Sequence, residues 1–379
     1  MPLTTSPLRV AVEATPLLGV QTGVGRFCRG ALGALDLRSE LSVSAFAVTW
    51  RRRRHLAQAV PPGVATAQRA MPARPLYQVW AHAPWPPVEW FIGRCDVVHG
   101  MNFVVPPTRR AARVVTVHDL TVVRFPEMCD GPTLAFPAMV ARAVRGGAWV
   151  HTHAQSVADE VVDIFGADPG RVRAVAPGVP PSPSPSPVPA GRLVDLPVGT
   201  ERYVVAVGTV EPRKDYPNLV RAFGRVAAAF PEVALVIVGA DGWGAEALHR
   251  ELAASSWRSR VVRSGYLADA ALARVMADAD VMVYPSRYEG FGFPPLEAMA
   301  LGVPVVATAA GAVPEVVGEA AVVVPPADEA ALADALERVL AGVGRAELVA
   351  AGYRRAEHFT WSAFAGGMVD LYRAAVADR

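Results

Sequence analysis

Short apolar runs of strand length alternate with longer amphipathic stretches along almost all of this 379-residue chain. In the first half the runs are LRVAVEAT (8–15), LSVSAFAVTW (41–50), CDVVHGM (95–101), ARVVTVHDL (112–120), AWVHTHA (148–154) and RVRAVAPGV (171–179). They are rich in β-branched residues and predict strands. Helical spacing fills the gaps near 24–35, 76–92, 132–145 and 155–165. The tract PPSPSPSPVPAGR (180–192) then interrupts the pattern. Proline offers no N–H to a ladder, so this tract predicts a semi-rigid linker. A second alternation follows, with RYVVAVGT (202–209), VALVIVGA (233–240), RVVRSGY (260–266), DVMVYPS (280–286), VPVVATAA (303–310) and AAVVVPP (320–326).

Strand–helix alternation of this kind predicts an α/β chain with parallel sheets. The boundaries it gives are a first Rossmann-like domain over 1–185, a Pro/Ser-rich linker over 186–200, and a second Rossmann-like domain over 201–357. The last segment, 358–379, contains WSAFAGGMVDLYRAAVADR, is helical in pattern, and is expected to cross back to the first domain. Doubly wound sheets take ligands at the carboxyl ends of their strands, and two such domains facing an interdomain cleft would share one.

Composition narrows the class. The chain is 52% hydrophobic and only 19% charged, which excludes wholesale disorder. Its 37 basic residues nearly balance 35 acidic ones, which argues against nucleic acid as a partner. Cys28, Cys95 and Cys129 have no CxxC spacing, which fits a reducing compartment and neither a disulfide framework nor a zinc site. No basic region precedes the first apolar residues, so no signal peptide is expected. The apolar stretch 298–314 is broken by Gly302, Pro304, Gly311 and Pro314, and predicts helix end, strand and turn instead of a membrane span. Among the 37 basic residues the only lysine is Lys214. A lysine that survives such a bias suits a place where a compact ammonium on a flexible stem is wanted, unless it survives by chance.

The segment EGFGFPPLEAMALGVPVV (289–306) carries the densest chemistry. Pro294 and Pro295 suit the first turn of a helix, where missing N–H groups cost nothing. Glu297 is then expected in that first turn, favoured by the helix dipole by ~0.3–1 kcal/mol. That accounts for Glu297 locally but not for Glu289, Gly290 or Gly292. Glycines ahead of a helix N-terminus let backbone amides approach an anion. A carboxylate on either side of that loop adds acceptors for hydroxyls. Phosphate and hydroxyls together describe a nucleotide sugar.

This segment, with Glu289 and Glu297 eight apart and the pattern PxxEAMAxGxPVV, resembles the signature of glycosyltransferase family 4, retaining enzymes of GT-B fold. The two-domain plan and the crossing last helix extend the resemblance over almost the whole chain. It implies a retaining glycosyltransferase that moves a hexose from a nucleotide-diphosphate sugar to an acceptor hydroxyl. The second domain would hold the donor and the first the acceptor. By the resemblance, Glu289 contacts the sugar, the amides of Phe291 and Gly292 reach the sugar and diphosphate, and Glu297 accepts from the ribose. HGMNFVVPP and VHDLTVVRFPE resemble the mannosyltransferase-like branch, which favours mannose from a guanine nucleotide over uridine sugars.

Other candidates fall around this motif. Arg213 and Lys214 follow the strand 202–209 and read either as a solvated charge pair or as a diphosphate clamp. The family has an arginine where this chain has Thr209, and Arg213 is the candidate to replace it. His118 ends the strand 112–120; it is either a satisfied core histidine or, by the resemblance, a sugar contact in the cleft. The glycines of GVQTGVGRF (19–27) could form an anion-binding nest, and the resembled family has a similar loop across the cleft from the diphosphate, which makes Gly23 a donor-binding candidate. Backbone groups near Gly265, Tyr266 and Leu267 are expected to hold the base.

Two motifs invite a metal reading and do not earn it. Asp278 and Asp280 form DAD, read here as a helix end and a strand entry. His151 and His153 lie at strand spacing with no third ligand evident. No metal or cofactor is expected, since Arg213, Lys214 and a helix N-terminus can neutralise the leaving diphosphate. The expected partners are the donor and a carbohydrate, lipid-linked or small-molecule acceptor. The Trp-rich stretch 77–91 reads as packing or as an acceptor platform. The run Arg51–Arg54 reads as a solvated loop or as contact with anionic lipid. A cytoplasmic location, with peripheral contact at the inner membrane face, follows from these expectations. Two other readings stay open: a nucleotide-sugar epimerase of the same fold, and a non-catalytic subunit that binds sugar nucleotides.

Overall fold

A computed structural model describes residues 6–19, 23–179 and 186–379. The chain divides into two compact units, one built from 1–178 with 359–379 and the other from 179–358. The first unit holds a seven-stranded sheet of β1 (Leu8–Glu13), β2 (Leu41–Phe46), β3 (Ala65–Thr66), β4 (Val97–Gly100), β5 (Ala112–Val117), β6 (Trp149–Thr152) and β7 (Val172–Ala174). Their order is β3-β2-β1-β4-β5-β6-β7, and every neighbouring pair is parallel. Helices cover a parallel sheet on both faces, so its central strands are apolar without alternation. Val97, Val98, Val114, Val115 and Val117 are accordingly all buried.

The last helix, Trp361–Ala377, belongs to this first unit. Phe364, Met368, Leu371, Tyr372 and Ala375 form its buried stripe at helical spacing. That stripe packs on the helix Gly23–Asp36 and on β4 and β5. Two expectations need correction here. The stretch 76–92 is not one helix but two, Ala73–His82 and Glu89–Ile92, because Pro84, Pro86 and Pro87 remove the N–H groups a continuous helix would need. The two-residue β3 was not foreseen, being too short to show a period.

The second unit holds β8 (Arg202–Val207), β9 (Val233–Val238), β10 (Val261–Gly265), β11 (Val281–Tyr284), β12 (Val305–Thr308) and β13 (Ala321–Val324). They form one parallel sheet in the order β10-β9-β8-β11-β12-β13. The stretch 186–200, expected as a semi-rigid linker, makes local contacts within the second unit. It contains a helical turn, Ala190–Leu193, whose Ala190 is buried together with Val194, and the Ser186 N–H donates to Ala270 O at 3.0 Å. Apolar side chains among the prolines give it something to pack with; 180–185 lie outside the described residues. Asp278 closes the helix Asp269–Ala277 and pairs with Arg274 at 2.8 Å, while Asp280 leads into β11 and pairs with Arg202 at 3.0 Å. Among the described residues, no helix is long and apolar enough to cross a membrane.

Inside the first unit, a chain of hydrogen bonds crosses the sheet. Burial keeps His151 neutral, lowering its pKa to about 4, and Val175 O accepts from its Nε2 at 3.0 Å. Its Nδ1 must then accept, so the Thr116 hydroxyl donates to it at 2.9 Å. Thr116 in turn accepts from His99 Nε2 at 2.8 Å, and the Tyr372 hydroxyl donates to His99 Nδ1 at 2.7 Å. One proton order satisfies every partner, and it ties the last helix to β4, β5 and β6.

Protonating these histidines breaks the order. The unfolded chain takes up protons below about pH 6.5, while burial holds folded His118 and His151 neutral down to about 4. The unfolded state therefore binds more protons in that window, and stability falls as pH drops through it, by about 2 kcal/mol per histidine at pH 5. Thermal melts should show the first unit losing stability between pH 6.5 and 4. Tyr372→Phe, which leaves His99 Nδ1 without its donor, should cost about 1–3 kcal/mol at pH 7 by denaturant titration. A flat profile over that range would remove the buried-neutral assignment.

Candidate functional site

The strand order of the second unit sets the place of the site. From β8 the chain runs outward through β9 and β10, then returns to β11 on the other side of β8. The reversal between β8 and β11 is a topological switch point, where the loops after both strands diverge and leave room for a ligand. The loop after β8 carries Arg213 and Lys214 in the short turn Pro212–Lys214. The loop after β11 carries Glu289. The Arg287 N–H donates to Arg213 O at 2.7 Å and joins the two loops.

At their meeting point the sequence candidates Arg213, Lys214 and Glu289 form one ionic cluster. Lys214 Nζ donates to Glu289 Oε1 at 2.6 Å and to the Tyr284 hydroxyl at 2.9 Å. The ammonium also lies 4.5 Å from the centre of the Tyr284 ring. Arg213 donates to Glu289 Oε2 at 2.5 Å, and its Nε donates to Glu211 at 2.8 Å. The Ser286 hydroxyl donates to Glu289 Oε1 at 2.7 Å. Glu289 and Lys214 are each only 6% exposed. Burial opposes ionisation of Glu289, but Arg213 and Lys214 outweigh it and hold the carboxyl down at about 2. Burial lowers the Lys214 pKa from its ordinary range; Glu289 pulls the other way and Arg213 adds to the lowering.

The glycine loop feeds directly into the helix Phe293–Ala300, with Gly292 at its N-cap at φ 132°. Pro294 and Pro295 are in the first turn, as expected, but Glu297 is not. It is the fifth helical residue and fully one turn in, past the first turn where the dipole would favour it. Its burial within the helix needs another reason. Gly290, Phe291 and Gly292 are buried beside it. Gly311, at φ 57°, closes the site from the β12 side: a Cβ there would sit 2.3 Å from Glu289 O. The next amide, of Ala312, donates to that same oxygen at 2.8 Å.

The remaining candidates are more dispersed. Thr209 is in the loop after β8, and Gly265 ends β10 at φ 69°, with Tyr266 and Leu267 following at the same carboxyl edge. Tyr266 is exposed and Leu267 half-buried. Gly23 opens the helix Gly23–Asp36 in the first unit, and 20–22 of its loop lie outside the described residues. His118, also in the first unit, is buried with both ring nitrogens engaged: Nε2 donates to Met101 O at 2.8 Å, and Nδ1 accepts from His153 Nε2 at 2.8 Å. Burial lowers its pKa to about 4, so it is a neutral histidine held by protein partners.

Tyr284 and Ser286 were missed by the sequence reading. Both stood inside DVMVYPS, taken only as a strand. The signal was there: a hydroxyl three residues before Glu289, across a tight loop, can turn back onto its carboxylate.

The family description "Glycosyl transferases group 1" matches residues 201–342. The chain is 28% identical over 222 residues to O-antigen chain mannosyltransferase B of Escherichia coli, covering 56% of each protein. It is 31% identical over 281 residues to a D-inositol 3-phosphate glycosyltransferase of Rhodococcus jostii, covering 70% of this chain and 62% of that one. It thus spans somewhat less than two thirds of either relative. To the enzyme of the same description from Acidothermus cellulolyticus it is 30% identical over 313 residues, covering 76% of this chain and 69% of that one. Among solved structures, sucrose-phosphate synthase from Thermosynechococcus elongatus shares the fold with a TM-score of 0.74 at 24% identity, over 98% of this chain and 100% of that one. Anabaena HepE, solved in complex with UDP-glucose, gives 0.71 at 18% identity, over 96% and 99%. These likenesses fix the architecture as GT-B.

A buried ionic cluster is costly to break from one side. Lys214→Met and Glu289→Gln should each destabilise by about 3–5 kcal/mol, because each strands a charge. The double variant should be less destabilised than the sum, with a coupling of about 0.5–3 kcal/mol by denaturant titration. Simple additivity would show that the cluster does not act as one unit.

Proposed function

Because the chain belongs to the group 1 glycosyltransferases, we propose that it is a retaining hexosyltransferase that takes its sugar from a nucleotide diphosphate. The observation that carries the proposal is the Lys214 ammonium, fixed at the switch point by Glu289. An ammonium has three N–H donors, and two of these go to Glu289 and Tyr284. The third is available to a phosphate oxygen. Arg213, held by Glu211 and Glu289, places a second cation beside it and supplies the charge that Thr209 does not.

In this reading the β-phosphate of the donor meets Lys214, Arg213 and the amides of Phe291 and Gly292. Glu297 accepts from the ribose, and Gly265, Tyr266 and Leu267 border the base. As the bond between the anomeric carbon and the phosphate oxygen breaks, negative charge grows on the diphosphate. Cations already in place stabilise that charge without reorganising, and no metal ion is required for it. Glu289 is occupied in holding both cations, so it is a poor nucleophile. We therefore favour front-face displacement: the acceptor oxygen bonds to the anomeric carbon on the side the diphosphate leaves, and the departing diphosphate takes the acceptor proton. A glycosyl-enzyme trapped on any carboxylate would contradict this.

The acceptor falls to the first unit and is a carbohydrate, lipid-linked or small-molecule hydroxyl; the first unit's Gly23 and His118 are its candidates toward the donor, His118 as a neutral ring held by Met101 and His153. For the donor, the Escherichia coli relative's description as a mannosyltransferase supports mannose, for which the sequence resemblance favours a guanine nucleotide, while HepE, solved with UDP-glucose, carries the competing case. Lys214→Ala should lower kcat by about 10²–10³, the loss typical of a missing transition-state donor. Turnover assays with GDP-mannose and UDP-glucose check this and identify the donor. Unchanged turnover would refute the clamp.

A further inference from the structure

A cavity of about 380 Å³ opens in the first unit at the amino ends of β5 and β6, whose first residues, Ala112 and Trp149, form part of its wall. His118 and His153 follow the other, carboxyl ends of the same strands, so this cavity is not on the side where doubly wound sheets take their ligands. Five arginine side chains and one aspartate line it: Arg109, Arg110, Arg113, Arg171, Arg379 and Asp378. Asp378 is already taken, pairing with Arg171 at 2.8 Å and accepting from Trp149 Nε1 at 3.1 Å. Arg379 donates to Arg110 O.

That leaves Arg109, Arg110 and Arg113. Among the described residues, none of the three pairs with a carboxylate. Arg113 is half-buried and its side-chain bond goes to a carbonyl, Gly146 O. Burial, and then the neighbouring Arg142, push its guanidinium below the usual arginine range. A cation in that position gains from an anion. The loop carrying the other two is pre-set. Glu89 Oε1 accepts from the backbone N–H groups of Arg109, Arg110 and Ala111 at 2.8, 3.0 and 3.2 Å. The internal carboxylate uses up the loop's backbone donors and leaves the two guanidinium groups to project from a fixed frame.

We propose that this cavity is a phosphate-binding site, separate from the donor site and independent of the transfer reaction. Guanidinium forks match a phosphate ester bidentately, and three of them around one cavity set its ligand class. The ester has two sources. It can be a free phosphate monoester, or the headgroup of an anionic phospholipid. The rim offers a feature that the second source would use. Trp85 follows Pro84 of the cavity wall, and Trp85 and Trp90 are 57% and 52% exposed with ring centres 5.6 Å apart. Exposed tryptophans suit the boundary between water and acyl chains.

The test uses the full chain, the Lys214→Ala variant, and an Arg109→Ser/Arg110→Ser variant whose changes are both on exposed side chains. Glycerol 3-phosphate is the soluble probe, melted against sodium chloride of equal ionic strength. Phosphatidylcholine vesicles with and without phosphatidylglycerol are the second probe, read by co-sedimentation. The expected result is a rise of a few degrees in melting temperature, or retention on the anionic vesicles, kept in Lys214→Ala and lost in the double-serine variant. A response to the soluble ester assigns a free phosphate; a response confined to vesicles assigns a headgroup. The proposal is overturned if neither probe acts on the full chain beyond the salt control, or if the double-serine variant responds as the full chain does.

Discussion

One carboxylate held between two cations organises the candidate site of the second unit. Glu289 accepts from Lys214 at 2.6 Å and from Arg213 at 2.5 Å, and those two partners come from a loop 75 residues earlier in the chain. Only a sheet that places β8 beside β11 can bring the loops together. Once they meet, the interaction works in both directions. The cations keep a buried carboxyl ionised, and the carboxylate keeps the buried Lys214 and the half-buried Arg213 in place. On the proposed function, a ligand phosphate would find its counter-charges already ordered, which is the condition for stabilising charge at the moment of reaction.

The first unit is organised by neutral polar groups instead of charges. Tyr372, His99, Thr116 and His151 pass protons in a single order across three strands, and His153 and His118 continue the theme beside them. Buried polar networks of this kind are safe only when every member is satisfied. Here the last helix supplies the terminal donor. The helix that ends the chain therefore completes the polar interior of the unit that begins it. The two units should also differ in acid. Glu289 stays ionised until pH nears 2, so its contribution is lost only as pH falls from about 4.5 toward that value. His118 and His151 of the first unit take up protons near pH 4 instead.

Much of this was legible in the sequence. Twelve of the thirteen strands among the described residues coincide with apolar runs, because parallel strands covered on both faces are mostly apolar, the hydrogen-bonded His99, Thr116 and His151 excepted. The lone lysine and the EGFG motif pointed to two loops that the structure brings together through Lys214 and Glu289. The helix position of Glu297 was misjudged because two prolines can occupy its second and third positions as readily as its first. Tyr284 and Ser286 left only a weak trace: a hydroxyl near a carboxylate in sequence becomes a partner only once the loop folds it back. His118 shows the same limit. Its sequence position is a strand end facing a ligand edge, yet its ring is committed to Met101 and His153, a pairing across strands that no local pattern encodes.

The central claim is that Lys214 and Arg213, fixed by Glu289, supply the positive charge that a nucleoside diphosphate needs. Calorimetric titration of GDP and UDP in the presence of a chelator tests it most directly. The account predicts that one of them binds without metal, with an affinity that magnesium leaves unchanged. Binding that appears only when magnesium is added would contradict it, because the neutralising charge would then come from the ion and not from the cluster.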